Sequence, residues 1–349
     1  MKFKIGKVEF SDNKFVLIAE AGVNHNGNLK IAEKLVKKAK ESGADIIKFQ
    51  TYKSDKLTIK NAPRFWNWKG EVKQSGSQYD SYKRLDSFDT EEYVKLKKLC
   101  DKYKIEFMST PFDFDAVKML KKIGAKGFKV ASCDLTNFPL LKEIAKTKLP
   151  IILSTGGSNI KEINESVKFL EKQGNNKICI LHCTLCYPTK MKDANLKSIT
   201  YLKKKFPNKI IGLSDHTLGT MAPIMSIMLG ARVVEKHFTI NKKLKKSADH
   251  WLSVDPKELG NIKRNSELAM LSIGKEKKEV LNCEKLARRN ARRSIVAKIF
   301  IKKGEYFSLN NLDFKRPGVG ISPKEIKKLL NKRSKRNIEK DEIIKKSYF

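Results

Sequence analysis

Eight short apolar runs of strand length recur between residues 15 and 237, separated mostly by segments that are amphipathic at helical spacing, and their polar residues gather at the C-terminal ends. The runs end at Glu20, at Lys48 and Gln50, at Thr110, at Lys129 and Ser132, at Ser154, at His182, at Ser214 with His216, and at His237. Strands alternating with helices in units of roughly 20 to 60 residues predict a (β/α)8 TIM barrel rather than an open doubly wound sheet. In such a barrel the C-terminal strand ends converge on one mouth, so a polar residue there is a site candidate. All five histidines, His25 and His250 included, fall on or just beyond strand ends.

These residue types suggest chemistry. Two lysines with Ser and Thr hydroxyls between them cradle a phosphate or carboxylate through charge-assisted hydrogen bonds. Two neutral imidazoles with an open coordination position, here His216 and His237, make a Lewis acid able to polarise a carbonyl. The competing reading of each histidine is a satisfied structural residue. Glu20 is then available to bind or deprotonate a hydroxyl. Together the groups favour carbon–carbon bond formation between a phosphorylated anion and an aldehyde.

Composition narrows the partners. The 349 residues carry a net charge of +36, but only eleven of the 74 basic residues are Arg, and the Lys are spread along the chain. Planar bidentate contacts to nucleic acid favour Arg, so no dedicated nucleic-acid role is expected, whereas the field would attract small anions. The longest apolar tract, 221–231, is too short to span a bilayer, and the N-terminus has no signal-peptide core. A cytoplasmic enzyme without membrane attachment is expected. Six cysteines show no framework spacing, and the single CxxC at Cys183 and Cys186 lacks a second pair for zinc.

Residues 53–88 form a long polar and aromatic excursion with Trp66, Trp68, Tyr79 and Tyr82, expected to be a functional lid, with a packing flap as the alternative. Past the eighth run, helix 257–271 closes a catalytic domain of residues 1–275. A linker, 276–290, precedes a small mostly-β domain, 291–349, whose one expected helix is 323–330. The arginines at 288, 289, 292 and 293 suit a basic rim or a solvated connection better than a polyanion site.

The motifs resemble one family. Ala19-Glu20-Ala21-Gly22 with Asn24-His25-Asn26-Gly27, Lys48-Phe49-Gln50-Thr51, Ser109-Thr110-Pro111-Phe112-Asp113, Lys129-Val130-Ala131-Ser132, Ser154-Thr155-Gly156-Gly157, Tyr187-Pro188-Thr189, Gly212-Leu213-Ser214-Asp215-His216 and Glu235-Lys236-His237-Phe238-Thr239 are similar, in order, to those of bacterial sialic acid synthases. Lys315-Arg316-Pro317-Gly318 resembles their C-terminal antifreeze-like (SAF) domain.

The resemblance implies condensation of phosphoenolpyruvate with an N-acetylmannosamine-type sugar and water to give a nonulosonic (sialic) acid and phosphate, with C–O cleavage. It implies Mn2+, or Mg2+ or Co2+, on His216 and His237, and phosphoenolpyruvate on Lys48, Thr110, Lys129, Ser132, Ser154 and Ser214. Glu20, Gln50, Tyr187 and Asp249 would face the sugar. A domain-swapped homodimer would bring Arg316 to the partner's site. Asp134 stands where some members carry Glu near the metal water, and Leu185 where certain members carry Asn near the phosphate. The alternatives are a legionaminic or pseudaminic acid synthase using a diacetamido sugar, another phosphoenolpyruvate-dependent sugar-acid synthase, and, from a different class, a polyanion-binding protein on a non-catalytic barrel.

Overall fold

The structure, a computed structural model, describes residues 1–66 and 76–349; Trp68 lies outside them. The chain divides into two compact units, Met1–Ile273 and Gly274–Phe349. Each is described by itself.

The first unit is a closed parallel barrel. Its strands are β3 (Val16–Gly22), β4 (Ile46–Thr51), β5 (Glu106–Pro111), β6 (Phe128–Val130), β7 (Ile151–Ser154), β8 (Ile178–Cys183), β9 (Ile210–Asp215) and β10 (Val233–His237), in sequence order around the ring, with β10 closing on β3. The helices between them follow their sequence signals. Asn28 accepts hydrogen bonds from the Lys30 and Ile31 amides to start the helix Leu29–Glu41. Ala32, Leu35, Val36 and Ala39 turn one face of that helix to the core. Gly43, at φ +84°, stops it.

Strand alternation then sorts the side chains. Leu17, Ile47, Phe49, Phe107 and Ile211 point outward into the core shared with the helices. Val16, Ile18, Ile46, Met108, Ile152, Leu181, Ile210 and Val233 point into the lumen. Further along each strand, the same inward face carries the polar mouth: Glu20, Lys48, Thr110, Ser154, Ser214 and Glu235.

Two strands appear where sequence periodicity assigns nothing. β1 (Lys2–Ile5) and β2 (Val8–Ser11) pair antiparallel, and Phe3, Ile5 and Phe10 pack on the lumen residues, with Phe3 and Phe10 stacked at 5.1 Å. This hairpin plugs the N-terminal end of the barrel. Each strand has only four residues, too few to register as a periodic run. A helix Lys197–Lys205 before β9 is likewise additional to the sequence reading. Between β6 and β7 the helix begins only at Phe138, capped by Asn137, and Asp134 sits in a preceding 3-10 turn, Ser132–Asp134.

In the second unit, β11 (Ser294–Ala297) pairs antiparallel with β12 (Leu312–Lys315) over a core including Ile295, Ile301, Phe307, Leu312, Leu329 and Ile338. The expected helix 323–330 is a 3-10 segment, Pro323–Lys328. The expected linker 276–290 contains most of a short helix, Lys285–Ala291, which holds Arg288 and Arg289. The Arg289 carbonyl accepts the Gly318 amide at 2.8 Å and Arg293 donates to the Phe314 carbonyl at 3.1 Å, so part of the arginine cluster staples this small fold.

Candidate active site

The inward positions at the C-terminal ends of β3, β4, β6 and β10 bring four charges together. Lys48 Nζ lies 2.6 Å from Glu20 and 3.8 Å from Glu235, and Lys129 Nζ lies 3.5 Å from Glu235. All four side chains are buried. Two carboxylates and two ammonium groups balance, which lets the set stay charged at a depth where a lone ion would neutralise.

The four are not equivalent. Burial pushes the Glu20 carboxyl up, Lys48 pulls against the rise, and Glu235 adds to it; the result lies above the usual carboxylate range. Burial also opposes ionisation of Glu235, but Lys129 and Lys48 outweigh it and hold that carboxyl low. Lys48 loses hydration, yet Glu20 and Glu235 keep its ammonium above the ordinary value. Glu235 is therefore the fixed counter-ion of the lysine pair, and Glu20 is the member able to take up a proton.

Hydroxyls surround this set. Lys48 donates to Thr110 Oγ1 at 3.1 Å, and Ser214 Oγ donates to Glu235 at 3.0 Å. Glu20 Oε2 and Glu235 Oε2 face Lys48 Nζ at 2.6 and 3.8 Å, whereas Ser154 Oγ is buried without a hydrogen-bond partner among the described residues. Buried polar atoms left this way are rare, and a ligand is one way to satisfy them. Ser132 Oγ accepts the Gly156 amide at 2.9 Å, tying the β6 and β7 ends together. Gln50 donates to Glu20 at 3.2 Å.

His216 and His237 face each other with ring centroids 5.5 Å apart, and the Tyr187 ring lies 4.1 Å from the first and 6.2 Å from the second. His216 Nδ1 is engaged by the Thr184 carbonyl at 2.9 Å, so in the neutral ring Nε2 carries the lone pair. Burial works against protonating His216, but the Cys183 sulfur, 3.8 Å away, and the Thr184 carbonyl outweigh it. Burial, reinforced by His216 and the lysines, keeps His237 neutral, well below the ordinary imidazole range. His237 Nδ1 is buried without a hydrogen-bond partner among the described residues, 3.7 Å from the Asp249 carboxylate.

These donors fit a divalent cation held by two imidazoles. Among the described residues no group of three or more His, Cys, Asp or Glu side chains makes a full ligand set. An ion on this pair would thus keep positions open for oxygen ligands, as catalytic sites require.

Above the charged set opens a cavity of about 390 Å3, lined by Gln50, Ser132, Asp134, Leu185, Tyr187, His237 and Asp249. The excursion after β4 supplies Leu57, Phe65, Trp66, Gln78, Ser81, Tyr82, Arg84 and Leu85, so this segment walls the cavity. Asp134 accepts from Asn137 at 3.1 Å, and burial raises its carboxyl above the usual range.

The barrel thus gathers Glu20, Lys48, Gln50, Thr110, Lys129, Ser132, Asp134, Ser154, Tyr187, Ser214, His216, His237 and Asp249 around one mouth. Arg316 lies exposed in the second unit, just after β12. Three histidines take the structural role: His182 bonds the Ala194 carbonyl, His25 stacks on Phe88 at 4.0 Å, and His250 bonds Thr239 and Asn26. Glu235 escaped the sequence reading as a site residue. The signal was present, since Val233, Glu235 and His237 alternate onto one face.

Comparison with known proteins follows the same lines. Residues 35–278 match the profile of the NeuB family and residues 292–349 that of the SAF domain. An uncharacterized protein of Methanocaldococcus jannaschii is 44% identical over 328 residues, covering 94% of this chain and 92% of that protein. The N,N'-diacetyllegionaminic acid synthase of Legionella pneumophila is 38% identical, over 92% of this chain and 91% of its own. The crystal structure of the N-acetylneuraminic acid synthetase of Leptospira borgpetersenii superposes with a TM-score of 0.73 at 34% identity, covering 82% of this chain and 95% of that one.

Proposed function

This chain belongs to the NeuB family, and from that premise we propose that it condenses phosphoenolpyruvate with an N-acetylmannosamine-type sugar and water, releasing a nonulosonic acid and inorganic phosphate. The observation that carries the reading is the buried Lys48–Lys129 pair, with the partnerless Ser154 hydroxyl, beside a cavity that His237 and Tyr187 line.

Each residue has a part. Lys48 and Lys129 hold the carboxylate and phosphate of the enol substrate, and Ser154, Ser132, Ser214 and Thr110 fix its oxygens. Glu235 is the counter-ion that both ammonium groups share. Glu20 and Gln50, joined to each other, accept and orient sugar hydroxyls, and Asp249 with Tyr187 bounds the sugar on the histidine side. The new bond joins C3 of the enol to the aldehyde carbon, water oxygen adds at C2, and the C2–O bond to phosphate breaks. A divalent ion such as Mn2+, held by His216 and His237, supplies Lewis acidity for the aldehyde when bound. Asp134, whose carboxyl is raised, is placed to hold a proton of the incoming water. A swapped homodimer with Arg316 contributed in trans belongs to the same proposal. Mixed dimers of Arg316→Ala and His237→Ala chains are expected to regain one working site, and mixtures as inactive as either parent would contradict the swap.

A second reading, a diacetamido sugar as in legionaminic or pseudaminic acid synthesis, is favoured by the apolar cavity wall of Leu57, Phe65, Trp66, Phe112 and Leu185 and by the Legionella relative. One experiment separates them. Purified protein with phosphoenolpyruvate, Mn2+ and each of a panel of mono- and diacetamido sugars is assayed for released phosphate. Release with at least one sugar is expected, the preferred sugar deciding between the readings; release with none would overturn both.

A further inference from the structure

Behind the two histidines, on the outer face of the same strand ends, lies a second buried ion pair that the condensation chemistry does not use. Strand alternation puts Ser214 and His216 on the inner side of the β9 end and Glu235 and His237 on the inner side of β10. Asp215 and Lys236, between them, point the other way. They are direct register partners across the β9–β10 ladder. Lys236 Nζ lies 2.5 Å from Asp215 Oδ2 and also donates to the Thr217 carbonyl. Asp215 in turn accepts the Thr217 amide at 3.1 Å and the Thr217 hydroxyl at 2.9 Å. Lys236, Asp215 and Thr217 are all buried, Lys236 at 1% exposure.

We propose that the Lys236–Asp215–Thr217 network is a clamp that fixes the separation and facing of His216 and His237, and so sets the affinity of the histidine pair for a divalent cation. This rests on the metal assignment of the proposed function and goes beyond it, because neither charged residue touches substrate or metal. The physical case is one of placement and cost. Each ion-pair member is the backbone neighbour of a histidine, so a movement of either histidine's main chain relative to the other strains a short charged contact. Thr217 extends the hold to the residue after His216, whose carbonyl is also held by the Thr189 amide at 3.0 Å. His237 is anchored at its own carbonyl by the Val254 amide at 2.8 Å. A buried ion pair contributes little net stability compared with apolar residues of similar volume. What it adds is a directional constraint, and groups behind metal ligands that orient them typically alter affinity ten- to a hundredfold.

The test measures binding rather than turnover. Lys236→Met alone leaves Asp215 charged and buried, and that variant is prone to misfold. The paired substitution Lys236→Met with Asp215→Leu removes both charges and keeps the volume filled. Mn2+ affinity of the full chain is read from the free-Mn2+ electron paramagnetic resonance signal, alongside thermal unfolding of the metal-free protein. The double variant is expected to unfold within a few degrees of the wild type while Mn2+ affinity drops about tenfold or more. The phosphoenolpyruvate KM, set by Lys48 and Lys129, should stay within about twofold. Lys236→Arg, which keeps the pair, should retain most of the affinity. A folded double variant that binds Mn2+ as tightly as the wild type would overturn the clamp and leave the proposed function standing. A wild-type chain that binds no Mn2+ would overturn the clamp together with the metal assignment.

Discussion

Ser154 gives the site its cleanest single-residue test. Its hydroxyl is buried with no partner among the described residues, so it contributes nothing to the folded state that alanine would remove. Ser154→Ala should leave unfolding free energy within about 0.5 kcal/mol of the wild type. It should raise the phosphoenolpyruvate KM about tenfold, the worth of one hydrogen bond to a charged ligand. Steady-state kinetics with urea unfolding checks both halves. The histidines give a pH test. Burial holds His25 down at about 3, with Lys246 adding to the shift, and His250 down at about 4, while both titrate near 6.5 once unfolded. Both are neutral in either state above pH 7, so nothing is lost there. As pH falls below 6.5 the unfolded chain takes up protons that the folded chain refuses, and stability declines. Between pH 7 and 5 each histidine should contribute a loss of about 2 kcal/mol. His25→Gln should remove its share, and a wild-type pH slope retained in the variant would refute the assignment. The sequence reading already set His216 and His237 apart from the other histidines; packing adds what those three do, which is to brace loops.

At the level of elements, β9 and β10 meet in a tight contact. Gly212 lies where an added Cβ would sit 2.3 Å from the Val233 carbonyl oxygen and 2.6 Å from Leu181 Cδ2. Gly212→Ala must therefore spread the strands that bear both histidines. A loss of about 2 kcal/mol or more in unfolding free energy is expected, with weakened Mn2+ binding. An unperturbed variant would mean that the two strands tolerate a wider spacing. The N-terminal hairpin makes a separate prediction, because fully buried Phe10 helps close the barrel end. Phe10→Ala should cost about 3 to 5 kcal/mol by urea unfolding, while KM values measured well below the transition stay unchanged. The barrel strands were legible because each is a short continuous apolar run that ends in polar residues. The hairpin was not, since four-residue strands are shorter than the window in which a period shows. The helix Phe138–Lys146 poses another difficulty: Asn137 is the cap, and Asp134 offers an equally good capping residue one turn earlier.

For the whole molecule, the order of motifs along the chain foretold both the closed barrel and the small β unit, and the family matches cover the two in turn. What the order could not convey was pairing across the lumen. Glu235 meets Lys129 and, nearly 190 residues away in sequence, Lys48, and no local pattern encodes that meeting. Among the described residues no helix is long and apolar enough to cross a membrane, and the +36 charge provides a field that attracts small anions. The condensation itself is tested by isotope. Phosphoenolpyruvate carrying 18O in the bridge between C2 and phosphorus is incubated with the protein, Mn2+ and the accepted amino sugar, and the products are weighed by mass spectrometry. C–O cleavage predicts that the label leaves in inorganic phosphate and that the new sugar acid carries none. Label retained in the acid, or no acid formed with any N-acetylated sugar, would contradict the reaction proposed for this barrel.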